Sequence, residues 1–194
     1  ALEAQTAGAL AACEGQDWAG VILNNLAQMR FATTLPRFGG MGLNITNPLA
    51  ARQYAEQGLG GLLVHPETPL ASMRCIEPGI PTAALCYGHI PLMLTRACPL
   101  KNVRDCTHCQ GAGSLRDRKG RDFPVRCSSP GSAGIRTVFN PVPLYMGDRL
   151  AEMPVDCAVA AFTLETPARV AQILERLLAR QGFDGEFTRG LYYA

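Results

Sequence analysis

Gly42-Leu43-Asn44-Ile45-Thr46-Asn47-Pro48 opens a segment that closes on Gly61-Leu62-Leu63-Val64-His65. Gly42 to Ile45 reads as a short buried strand. Asn47 then offers a side-chain cap and Pro48 a pre-set first helical residue, so a helix is expected from there to about Gln57. Gly58 ends it, and Gly61 to His65 is the next strand. Strand, capped helix, strand is the βα unit. Upstream, Gly20-Val21-Ile22-Leu23-Asn24 is another short apolar run followed by a helical turn near Leu26 to Arg30, and residues 1–13 read as a helix. Downstream, Pro69 to Cys75 reads as a short helix and Pro81 to Tyr87 as a further strand. Strands recur at intervals of roughly twenty residues, the rhythm of a parallel sheet with helical crossovers. It returns near the end: Cys157 to Leu164 as a strand, then a helix from Thr166-Pro167 to about Arg180. Val170, Ile173, Leu174, Leu177 and Leu178 mark the apolar face of that helix, and Gly182 is its terminator.

Between these βα blocks the rhythm breaks. Pro91 to Thr95 reads as a strand, Phe123 to Arg126 and Arg136 to Asn140 as an antiparallel pair, and Leu144 to Leu150 as a short helix. The segment also carries four cysteines spaced C-x7-C-x2-C-x17-C, namely Cys98, Cys106, Cys109 and Cys127. A C-x2-C pair grips one ion across a tight turn, and two further thiolates complete a tetrahedral shell. Gly111-Ala112-Gly113-Ser114 and Asp117-Arg118-Lys119-Gly120 are turn-rich and fold the segment back on itself. The spacing predicts a four-cysteine metal or iron–sulfur site.

The fold class expected is therefore α/β: a parallel βα layer over about 1–90 and 151–182, with a cysteine-rich antiparallel insertion over about 91–150, all within one domain of residues 1–194. About five βα units are visible, fewer than the eight that close a barrel. The layer is either open or the later part of a barrel whose first strands are missing.

Composition bounds the function. At 194 residues, 47% hydrophobic and 18% charged, the chain can bury an ordinary globular core. A net charge of +2 does not by itself argue for nucleic acid. Four of the eight cysteines crowd one stretch, while Cys13, Cys75, Cys86 and Cys157 sit in apolar surroundings. That pattern fits a reducing, cytoplasmic setting rather than a disulfide scaffold. No apolar run reaches the ~20 residues of a membrane span.

Several stretches carry a resemblance: Leu23-Asn24-Asn25-Leu26-Ala27-Gln28, Gly42 to Asn47, Leu63-Val64-His65-Pro66-Glu67, and above all Tyr87-Gly88-His89-Ile90-Pro91-Leu92-Met93-Leu94-Thr95-Arg96-Ala97-Cys98-Pro99-Leu100. Asp117 to Gly120 with Phe123-Pro124-Val125, Asn140 to Tyr145 with Asp148-Arg149-Leu150, and the tail Phe187 to Tyr193 continue it. Together they resemble the peptidase U32 family, often called collagenase-like proteases. The resemblance implies a TIM-barrel-like fold and a [4Fe–4S] cluster on Cys98, Cys106, Cys109 and Cys127. It also implies either proteolysis or the hydroxylation of RNA bases and small aromatic precursors. The chain looks like the carboxyl-terminal part of a longer member, which predicts self-association or pairing with a missing amino-terminal half. Zinc fits four thiolates as well as a cluster does, and a zinc-pinned, non-catalytic binding module is the alternative.

Few residues suggest catalysis. His89 follows a strand end, where α/β folds place their sites. His65 with Glu67 lies at another strand end and forms a candidate acid/base pair, weighed against a role in capping the following helix. His108, inside the C-x2-C pair, reads as a loop residue. Cys86, His89 and Glu67 assemble into a triad only on paper. No nucleophile elbow of the G-x-S-x-G type and no H-E-x-x-H helix is present. Arg96, Lys101, Arg104, Arg116, Arg118, Lys119, Arg121 and Arg126 surround the cysteines and offer a contact for RNA or a small acidic or aromatic substrate. Asp105, Asp117 and Asp122 dilute that charge.

Overall fold

The computed structural model describes residues 2–14, 16–31, 33–101, 106, 109–128 and 134–194. They form two compact units. The first comprises residues 1–86, 149–160 and 189–194, and the second residues 87–148 and 161–188.

In the first unit the βα rhythm is realised. Helix α1 (Leu2–Cys13) precedes strand β1 (Val21–Leu23), a short 3₁₀ turn (Leu26–Arg30), β2 (Arg37–Gly39), α2 (Pro48–Glu56), β3 (Gly61–Leu63), α3 (Leu70–Met73) and β4 (Thr82–Gly88). β1, β2, β3 and β4 are hydrogen-bonded neighbours in chain order and run parallel, with Ile22 opposite Phe38, Phe38 opposite Gly61 and Leu62 opposite Thr82. β10 (Cys157–Ala161) lies next to β4. The sheet is mixed α/β in class, and it does not close into a barrel among the described residues. Helix α2 starts where its sequence says: the Asn47 side chain accepts the amide of Ala50, with Pro48 in the first turn. One sheet face is buried through Leu23, Leu62, Val64 and Ala84, and the core also takes Leu43, Ile45, Ala51 and Met73. The opposite face lines an apolar groove of about 450 Å³ through Ile22, Phe38, Leu63, Ala83 and Val159.

Three local expectations are corrected. Gly42 to Ile45 is not a strand: Met41–Leu43 is a 3₁₀ turn, Asn44 is left-handed at φ 52°, and only Ile45 makes a bridge, to Val64. A Cβ on Gly42 would collide with the Asn24 carbonyl, so the chain wraps around the end of β1 here instead of extending. The strand between β1 and β3 is Arg37-Phe38-Gly39, whose composition hides it. Gly111 to Ser114, expected as a turn, leads into a strand (β6, Ala112–Arg116). Leu144 to Leu150, expected as a helix, is a two-residue strand (β9, Leu144–Tyr145) followed by a 3₁₀ turn over Gly147–Glu152.

The second unit holds β5 (Pro91–Thr95), β6, β7 (Asp122–Cys127), β8 (Arg136–Phe139), β9 and α4 (Pro167–Leu178). Four strands form an antiparallel sheet in the order β5-β8-β7-β6. The β6–β7 hairpin turns on Asp117, whose carboxylate accepts the amides of Lys119 and Arg121, with Gly120 at φ +80°. Val125, Val138 and Leu100 are its buried centre, with Cys98, Leu115 and Phe123 packed against them. A second core is aromatic: Tyr87, Tyr145, Phe162, Phe183 and Phe187 meet ring to ring, with centroids 4.9–6.4 Å apart. The end of β4 enters this unit, where Tyr87 and Gly88 pair with Tyr145 and Leu144. On α4, Ile173 and Leu177 are buried while Leu178 is 85% exposed.

Candidate metal centre and the polar cluster at the strand ends

Of the candidate cysteines, Cys127 ends β7 and Cys98 lies just beyond β5. Thr95 and Cys127 are both opposite Arg136, on either side of β8, and Cys98 follows Thr95 by three residues. Cys127 alternates with Val125 and so shares its face; Cys98 packs on the cluster built around Val125. A run of backbone contacts ties three of the cysteines. The Cys109 amide donates to the Cys106 carbonyl at 3.3 Å. The Gly111 amide donates to Cys109 Sγ at 3.3 Å. The Cys127 amide donates to the Gly111 carbonyl at 2.8 Å.

An amide aimed at a sulfur stabilises a thiolate, and four soft sulfur donors suit zinc or an iron–sulfur cluster. The donor set thus fits the group. Among the described residues, however, no three His, Cys, Asp or Glu side chains are assembled as a metal-ligating group. Residues 102–105 and 107–108, and with them Arg104, Asp105 and His108, lie outside the described residues. Part of the basic set lies away from Cys127 and is already paired. At the β6–β7 hairpin turn, the far end of β7, Arg116 makes a two-pronged pair with Asp122 at 2.7 and 2.9 Å, and Arg121 reaches Glu186 at 3.2 Å. The Arg136 guanidinium is held by the carbonyls of Arg96 and Gly134.

His89 enters a cluster that the sequence did not disclose. It sits just beyond β4, and its Nδ1 lies 2.8 Å from the Asn140 carbonyl. A carbonyl can only accept, so Nδ1 carries the proton and Nε2 is left facing Glu165 Oε1 at 3.8 Å. Glu165 follows β10, and its side chain is only 4% exposed. Its carboxylate accepts from the Tyr87 hydroxyl at 2.7 Å and from the amides of Thr163 and Leu164 at 2.8 and 3.0 Å. Burial pushes the Glu165 carboxyl up, but these donors outweigh it and leave its pKa below the usual value. Burial, then the bond to Glu165, pushes the Tyr87 phenol far above its ordinary value. The cluster therefore places a buried carboxylate beside an imidazole that the Asn140 carbonyl orients, at the strand end where chemistry is placed in α/β folds. Its one sequence signal was position: Glu165 directly follows a strand, yet it reads as part of the Thr166-Pro167 helix start.

The other candidates are structural in their contacts. His65 Nδ1 accepts the Glu67 amide at 3.3 Å, and the His65 carbonyl accepts the Thr68 amide, so this histidine closes the turn after β3. Burial pushes the Cys86 thiol up to about 11, leaving almost no thiolate at neutral pH, so it is a poor nucleophile. No helix among the described residues is long and apolar enough to cross a membrane. No family model, curated protein or solved structure matches the chain.

Proposed function

We propose that the chain is a U32-like protein whose Cys98, Cys106, Cys109 and Cys127 hold a [4Fe–4S] cluster, and that it takes part in the hydroxylation of RNA bases or a small aromatic compound. The observation that carries this reading is the backbone relay from Cys106 through Cys109 and Gly111 to Cys127, at the sheet end where Cys98 is packed. A bound cluster would supply one-electron transfer. The chain's own part is to hold it: Cys106 and Cys109 separated by two residues in one segment, Cys127 from the end of β7 and Cys98 from the segment after β5. The sequential parallel strands β1 to β4 support the finer reading of the layer as part of a TIM-type barrel. Proteolysis finds less support, since Cys86 is buried and His65 is engaged in its own turn.

Anaerobically purified protein is expected to contain iron and sulfide and to absorb broadly in the visible. Stoichiometric zinc without iron overturns the cluster and leaves the zinc-pinned module. Cys109→Ser separates chemistry from stapling: loss of iron with unchanged far-UV circular dichroism supports a working centre, whereas global unfolding makes the metal a structural pin. If RNA is the substrate, its affinity must fall steeply with added salt, because phosphate contacts release counterions.

A further inference from the structure

Arg136 is 6% exposed, and no other lysine or arginine among the described residues is buried. It lies on β8 directly opposite Thr95 of β5 on one side and Cys127 of β7 on the other. Residues directly opposite across an antiparallel pair share a face, with Cβ atoms about 4.5–5.5 Å apart. Arg136 alternates with Val138, so it faces the side on which Val138, Val125 and Leu100 are buried and Cys98 packs against them. Its guanidinium reaches on to the Gly134 carbonyl and to the carbonyl of Arg96, two residues before Cys98. A buried cation thus stands beside Cys127 and is tied to the segment that carries Cys98. Arg126, although next to Cys127 in sequence, points to the opposite face by alternation and is exposed.

We propose that Arg136 is the electrostatic partner of the four-cysteine site, a positioning residue whose buried charge offsets the negative charge that the thiolates bring to a bound metal. This rests on the reading of Cys98, Cys106, Cys109 and Cys127 as ligands. Four thiolates around a divalent ion, or around an oxidised [4Fe–4S] core, form a dianion. Such a centre is costly to hold away from water unless opposite charge lies close by. The two carbonyls orient the guanidinium without neutralising it, so its charge acts on the sulfurs beside it. The same charge favours the reduced, more negative state of a cluster.

The test is anaerobic titration of the reduced chain with Co²⁺, followed by thiolate-to-cobalt charge-transfer absorption. The wild type is expected to bind with that band. Its absence overturns the cysteine reading and this inference with it. R136Q is expected to bind about 10- to 100-fold more weakly, whereas R136K, which keeps the charge, should stay close to the wild type. Far-UV circular dichroism checks the fold of each variant. If R136Q does not fold, T95E decides: it leaves Arg136 in place and sets a carboxylate directly opposite it, and binding should weaken in the same way. In iron-loaded protein, R136Q and T95E should shift the midpoint potential to more negative values, which loss of a merely structural contact would not do. Wild-type affinity in R136Q or T95E, an unmoved potential, or a loss in R136K as large as in R136Q or T95E overturns the proposal and leaves the cysteine site standing.

Discussion

A buried carboxylate with three donors is a stability device whatever else it does. Glu165 has a folded pKa below its ordinary value, so its contribution is full above the unfolded pKa, about 4.3 for a free glutamate, and is lost as pH falls through the folded value. Tyr87 supplies the only side-chain hydroxyl among those donors. Tyr87→Phe keeps the ring contacts with Phe162 and Phe183 but leaves the carboxylate short of a partner. We expect a loss of about 1–3 kcal/mol near neutral pH in denaturant titrations. With burial then less opposed, the Glu165 pKa rises and the acid-unfolding midpoint moves to higher pH. An acid limb that does not shift would mean that the carboxylate is held by the amides of Thr163 and Leu164 alone.

Helix α4 shows what an element's pattern reveals and what it leaves out. Its apolar positions read as one face, yet Ile173 is fully buried and Leu178, in the last turn before the left-handed Arg180, is open to solvent. Ile173→Ala is expected to cost about 2–5 kcal/mol, whereas Leu178→Ala should stay within about 0.5 kcal/mol; paired thermal melts decide it. Elements announced by local chemistry were legible: the Asn47–Pro48 start, the Asp117–Gly120 turn, the apolar run of β4. β2 and β6 were not. Arg37-Phe38-Gly39 becomes a strand only because β1 and β3 bond it on both sides, and Ala112 to Arg116 only because β7 returns alongside. The same distinction applies to the site. The cysteine spacing is a local signal, but whether four sulfurs meet depends on a tertiary arrangement that spacing does not encode. The Tyr87–Glu165 bond joins residues 78 apart in sequence, beyond any periodicity.

At the scale of the whole chain, neither unit is a continuous piece of sequence. The chain passes from one to the other at Cys86–Tyr87, Asp148–Arg149, Ala160–Ala161 and Thr188–Arg189. The first unit therefore waits for its last six residues, 189–194. Within them Tyr192 is 1% exposed, its hydroxyl donates to the Leu85 carbonyl of β4 at 2.8 Å, and its own carbonyl accepts the amide of Leu70 at the start of α3 at 3.0 Å. Truncation after Thr188 removes a buried ring and leaves the Leu70 amide without its acceptor. By analogy with large aromatic deletions the cost is about 3–5 kcal/mol, a large share of the ~5–15 kcal/mol that holds a domain together. Tyr192→Phe, which forfeits only the hydroxyl, should cost about 1 kcal/mol. Hydrogen exchange gives the sharper readout. In the truncated chain the Leu70 amide and the first half of β4 should lose protection, while β7 and β8, which belong to the second unit, keep theirs. Equal loss in both sets would make the tail a support for the whole molecule, and no loss in either would show that Tyr192 fills a space the first unit can close without it.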